Sequence, residues 1–168
     1  MDHSTYSTAD LAFQIGEKLK AKNWQLATAE SCTGGLVGKY LTDIAGSSAW
    51  YDCGFITYSN QAKMRLLQVP ESTLEAYGAV SEQTAQAMAT GALENSEAHI
   101  TVSITGIAGP TGGSAEKPVG MVCFAWATHE TNQLNTQYFQ GDREEVREQS
   151  ARFALIRLLT LLENTPMR

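Results

Sequence analysis

The stretch Ala29-Glu30-Ser31-Cys32-Thr33-Gly34-Gly35 sets a carboxylate, a hydroxyl and a thiol in three consecutive positions, with two glycines close behind. A strand-like run, residues 24–29, leads into it. An amphipathic pattern carrying Leu36, Val37, Tyr40, Leu41 and Ile44 follows. Free amides at the start of a helix stabilise an anion, either a bound phosphate or a developing oxyanion. Nucleophilic chemistry at Ser31 fits this setting; so does a purely structural N-cap at Ser31 or Thr33. Cys32 is a rival nucleophile, because a helix N-terminus lowers a thiol pKa. No histidine is placed by sequence to partner it, and a buried small hydrophobe is its other reading.

Further along, Tyr58-Ser59-Asn60-Gln61-Ala62-Lys63 ends a strand-like run and starts a helical one. Lys63 falls in the first turn, where the helix dipole disfavours an ammonium. Burial would lower its pKa and let it take a proton from a hydroxyl. From the residues alone, a solvated surface lysine is the default. Tyr58 reads either as core packing or as a proton relay. Residues 106–113 hold four of the chain's 14 glycines, Gly106, Gly109, Gly112 and Gly113, directly after a strand. This loop has neither a Walker A ending nor a G-x-G-x-x-G pattern. Its backbone amides suit a phosphate or a carboxamide, and it equally suits an ordinary flexible loop. Arg143 and Arg147 open the last helical pattern beside Asp142 and Glu144, where they could bind a phosphate or pair with those carboxylates.

Composition narrows the classes. The chain has 168 residues, 43% of them hydrophobic and 18% charged, which fits one domain with a sizeable core. Its net charge of -6 disfavours a general nucleic-acid binder. Three widely spaced cysteines without metal-ligand spacing point to reduced thiols, and so to a cytoplasmic setting. The polar first nine residues do not read as a signal peptide, and no run of about 18 apolar residues exists to cross a membrane.

These candidates need elements to hold them. Thr8 is expected to cap a first helix with Leu11, Ile15 and Leu19 on one face. Strands are expected at residues 24–29, 50–58, 99–105, 119–128 and 134–139, the last two as a hairpin turning at 129–133. Helices follow the Ser31 turn, Ser59 or Asn60, and Ser81, with one or two turns at 74–77 after Pro70. Asp142 and Glu145 form a capping-box pattern that opens the longest helix. Its apolar face carries Val146, Phe153, Ala154, Leu155, Leu158, Leu159 and Leu162. The alternation implies a three-layer α/β/α sandwich with a mixed sheet. In such sheets ligands bind at the carboxyl ends of the parallel strands, where Ser31, Tyr58 and Thr105 all stand.

Taken together, the Ser31 and Lys63 segments, Gly78-Ala79-Val80-Ser81, the 105–113 loop and Lys117-Pro118-Val119-Gly120 resemble the C-terminal domain of the competence/damage-inducible protein CinA, the nicotinamide-nucleotide amidohydrolase family. The resemblance runs from about Thr8 to Leu162, without the larger N-terminal domain that many members carry. It implies a single stand-alone domain over residues 1–168. It also implies hydrolysis of the carboxamide of nicotinamide mononucleotide to nicotinic acid mononucleotide and ammonia, with no metal or cofactor. By the same resemblance Ser31 is the nucleophile, Lys63 its general base, and Tyr58 a proton relay or orienting group. Substrate binding then falls to Glu30, Thr33, Gly34, Gly35, Thr105, Gly106, Gly109, Gly112, Gly113 and Arg147. The expected partner is a pyridine nucleotide, not a nucleic acid or a membrane. A homo-oligomer, a dimer or larger, is also expected, with Trp50, Tyr51 and Phe55 as either interface or core. An inactive nucleotide-binding or regulatory module of the same fold is the alternative.

Overall fold

The computed structural model describes residues 2–166. Its five strands are β1 (Leu26–Glu30), β2 (Tyr51–Ile56), β3 (Ile100–Gly106), β4 (Met121–Thr128) and β5 (Asn132–Tyr138), in the order β2-β1-β3-β4-β5. β1 lies parallel to both β2 and β3, whereas β4 runs antiparallel to β3 and to β5. The helices are α1 (Thr8–Lys22), α2 (Leu36–Thr42), α3 (Asn60–Leu67), α4 (Glu71–Tyr77), α5 (Glu82–Glu94) and α6 (Arg143–Asn164). The mixed sheet with helices on both faces is the expected α/β architecture.

Strand alternation divides the interior. Ile100, Val102 and Ile104 of β3 join Val122, Phe124 and Trp126 of β4 in the larger core, under α1, α2 and α6. On the other face, Cys123, Ala125 and Ala127 meet Ala85 and Ala89 of α5. Small side chains on both sides let α5 sit close to the sheet. Three hydroxyls of β3 then reach carbonyls at or just before that helix: Thr101 Oγ1 donates to Ala89 O (2.8 Å), Ser103 Oγ to Ala85 O (2.5 Å) and Thr105 Oγ1 to Ala79 O (2.7 Å). Polar residues can thus be wholly buried in this strand, because each has an acceptor. Gly91 faces the opposite constraint. A Cβ there would lie 1.9 Å from Leu67 O, so a side chain would force α3 and α5 apart.

Local signals account for most boundaries. Ser59 and Ser81 cap α3 and α5, and Asp142 with Glu145 forms the capping box of α6. The first helix differs from expectation: Ser7, not Thr8, is the cap, in a reciprocal box with Asp10. α4 begins at Glu71 immediately after Pro70, three residues earlier than the apolar pattern suggested. Trp50 is core, 2% exposed and packed against Gly16, while Tyr51 and Phe55 are partly buried.

Candidate active site

Ser31 follows the last residue of β1, and its amide extends the sheet by donating to Ile104 O (2.9 Å). The chain then turns through Gly34 and Gly35, at φ 61° and 104°. Two consecutive left-handed residues are tolerated there because neither carries a Cβ. Neither Ser31 nor Thr33 caps α2; Gly35 stands at that position without a side-chain bond. Glu30 does the capping. Its buried carboxylate accepts from Thr33 Oγ1 (2.6 Å), Val37 N (3.0 Å) and Gly38 N (3.1 Å). A negative charge at the helix N-terminus is favourable, and both of its oxygens are engaged within the turn. Glu30→Gln would set an amide N–H against one of these donors. The expected result is a loss of about 1–3 kcal/mol, read as a melting temperature lower by roughly 3–10 °C.

Lys63 reaches this turn from the far side of β1. The Ser59 cap starts α3 with the Ala62 amide on Ser59 Oγ (3.0 Å), and Lys63 follows one residue later. Its side chain is 1% exposed. Nζ lies 3.1 Å from Ser31 Oγ and donates to Thr57 O (3.0 Å). No carboxylate pairs with it among the described residues, so little offsets the cost of burying an ammonium. Burial accordingly holds the amine below the ordinary lysine pKa of 10.5. The surface reading of Lys63 is therefore corrected. A neutral amine has a lone pair, and the neighbouring Ser31 hydroxyl is the proton donor within reach. Thr57 Oγ1, buried beside the carbonyl that holds Lys63, has no hydrogen-bond partner among the described residues.

Cys32 is the weaker nucleophile. It is 6% exposed, and burial pushes its thiol up to about 12, opposite to the lowering a helix N-terminus would give. Arg147 fixes the same turn from α6, with Nε donating to Cys32 O (3.0 Å) and Nη2 to Thr33 O (3.1 Å). Arg143, one turn earlier, donates from Nη1 to Gly109 O (2.7 Å) and from Nη2 to Tyr58 Oη (3.0 Å). Of the two readings for these arginines, pairing with nearby carboxylates does not occur among the described residues. Both instead tie α6 to the loops at the carboxyl ends of the strands. Tyr58 is 62% exposed, so it is not core, and its hydroxyl partner is Arg143, not Ser31 or Lys63.

The glycine loop packs over the end of β4. Gly106 and Gly113 are crowded by Val122 and by Val119, where a Cβ would come within 2.7 Å of a heavy atom. Thr105 is buried with its hydroxyl on Ala79 O, and Lys117 closes the far side on Tyr77 O. The structure thus brings Ser31, Lys63, Thr33, Gly34, Gly35 and Arg147 together in one turn, with Tyr58 and Gly109 joined alongside through Arg143. The clasp by Glu30, the Thr57 carbonyl and the Arg143 bridge are three features that sequence reasoning missed. Only Glu30 left a signal, as a carboxylate three residues before a hydroxyl at a strand-to-helix turn.

Comparison with known proteins fits this arrangement. The family model of the CinA C-terminal domain matches residues 8–162. Nicotinamide-nucleotide amidohydrolase PncC of Enterobacter agglomerans is 59% identical over 147 residues, covering 87% of this chain and 90% of its own. The protein of that name from Escherichia coli K12 is 52% identical over 157 residues, with 92% and 95% covered. Among solved structures, the competence damage-inducible protein A of Klebsiella pneumoniae superposes with a TM-score of 0.93 at 38% identity, covering 96% of this chain and all of that one. The chain belongs to the CinA C-terminal domain family.

Proposed function

We propose that this protein is an amidohydrolase that converts nicotinamide mononucleotide to nicotinic acid mononucleotide and ammonia, with Ser31 as nucleophile and Lys63 as its base. The observation that carries this reading is the buried, carboxylate-free contact of Lys63 Nζ with Ser31 Oγ at 3.1 Å. The names of the relatives supply the substrate class.

The neutral amine takes the Ser31 proton as Oγ attacks the carboxamide carbon. The resulting oxyanion needs donors. A trans peptide sets each C=O antiparallel to the following N–H. Arg147 draws Cys32 O to one side, so the Thr33 amide faces the other and is the first candidate donor. One such donor is worth about 10²–10³ in rate. The Lys63 ammonium then protonates the departing amine, which leaves as ammonia and a Ser31 ester. Water adds to the ester with its proton going to Lys63, which hands it to Ser31 Oγ as the ester bond breaks and the acid departs. Thr57 O receives an N–H of Lys63 in both protonation states, which keeps the amine aimed at Ser31. Tyr58 acts as an orienting group, because its hydroxyl is held by Arg143. The glycine loop and Arg143 form the place for the substrate phosphate.

Incubation of the purified protein with nicotinamide mononucleotide tests this directly. Ammonia and the acid mononucleotide should appear in equal amounts without added metal. Binding of the mononucleotide without release of either product would instead establish a non-catalytic module.

A further inference from the structure

A sizeable cavity lies at the other end of the sheet. It encloses about 580 Å³ between the C-termini of α1 and α6, the start of β3 and the β4–β5 turn. Ile100 lines it, whereas Ile104 of the same strand bonds the Ser31 amide. Four residues of extended chain place the two sites about 13 Å apart along the strand, on opposite edges. That volume falls in the range of small-molecule pockets, about 300–1,000 Å³.

Its walls are aromatic and aliphatic: Trp24, Trp126, Ile100 and Leu161. His99 stacks on Trp24 with ring centroids 6.1 Å apart and planes within 6°. The Gln25 amide donates to His99 Nδ1 (2.9 Å), which leaves the ring proton on Nε2. A second donor is Lys22, whose ammonium sits 5.7 Å over the Trp24 ring and spends one hydrogen on Thr165 O (2.6 Å). The side chain of Gln133 adds a third: its oxygen accepts from Arg157, so its NH₂ remains to donate. Glu130 and His129 stand at the lip. An apolar slot with donors at its edge selects a flat apolar body that carries an acceptor. The Lys22 charge favours an anionic one.

We propose that this cavity is a second ligand site, separate from the Ser31 centre, for a planar aromatic carboxylate of one or two fused rings. The ring lies in the space lined by Trp24, Trp126, Ile100 and Leu161, with the carboxylate on Lys22 and His99 Nε2.

Isothermal titration of the full chain with 2-naphthoate is the test. One equivalent should bind with a dissociation constant below about 1 mM. Lys22→Met, which keeps the aliphatic stem, should weaken binding about tenfold. Leu161→Trp, which fills the slot, should abolish it, with the melting curve reporting that the variant folds. Ser31→Ala should bind as the parent does, so failure of the amidase reading leaves this result untouched. Absence of saturable binding would overturn the proposal. So would binding unaffected by both cavity variants, or binding lost in Ser31→Ala.

Discussion

Lys63→Met is expected to lower kcat for amide hydrolysis by about 10³-fold while leaving the protein folded. Methionine matches the aliphatic stem and removes a buried amine that has no counter-charge, so the core gains by the exchange. Lys63→Arg should not rescue turnover, since a guanidinium does not give up its proton. The pH profiles separate the parent from the variant. In the parent, activity rises with pH as Lys63 becomes neutral, and burial places this limb below the ordinary lysine value of 10.5. Stability follows the same sign. Between the lowered folded value and the unfolded value, the unfolded chain binds a proton that the folded chain does not. Stability therefore increases with pH across that window. Both dependences should flatten in Lys63→Met. An unchanged acid limb in the variant would assign it to another group.

Ser31→Ala is expected to cost about 10⁴-fold or more in kcat, because no neighbour can take over the covalent step. Cys32 is adjacent, but burial pushes its thiol up to about 12, which keeps it in the poorly nucleophilic protonated form at neutral pH. Substrate binding should survive, since the glycine loop and Arg143 do not depend on the hydroxyl. Equilibrium binding of nicotinamide mononucleotide to the variant, beside single-turnover assays, checks both parts. Turnover that persists in Ser31→Ala and disappears in Cys32→Ala would move the nucleophile by one residue.

The layers of the fold were legible because local and long-range signals agree. The Asp142–Glu145 box and the Leu155, Leu158, Leu159, Leu162 stripe mark α6, and alternation at Ile100, Val102 and Ile104 marks β3 with its buried face. Boundaries slipped where two neighbouring hydroxyls compete, as Ser7 and Thr8 do for the first cap. The site was harder to read. The surface prior for Lys63 reflects the usual behaviour of lysine, and nothing local contradicts it. What buries this side chain is β1 and the Ser31 turn, 32 residues away in sequence. Arg143 and Arg147 stand beside carboxylates in the chain, yet α6 delivers them to the carbonyls of Gly109, Cys32 and Thr33. Such partners are set by the packing of a helix against distant loops, which periodicity along the helix does not encode.

The amine of Lys63 can be watched directly. The chain has six lysines, Lys18, Lys20, Lys22, Lys39, Lys63 and Lys117. With nitrogen-15 at each Nζ, a pH titration by nuclear magnetic resonance follows them together, and Lys63→Met identifies the signal of interest. The Lys63 resonance should become that of a neutral amine below the ordinary lysine value of 10.5, and should shift again in Ser31→Ala. Six lysines titrating together near the ordinary value, with Lys63 an ammonium throughout the range of turnover, would contradict that expectation.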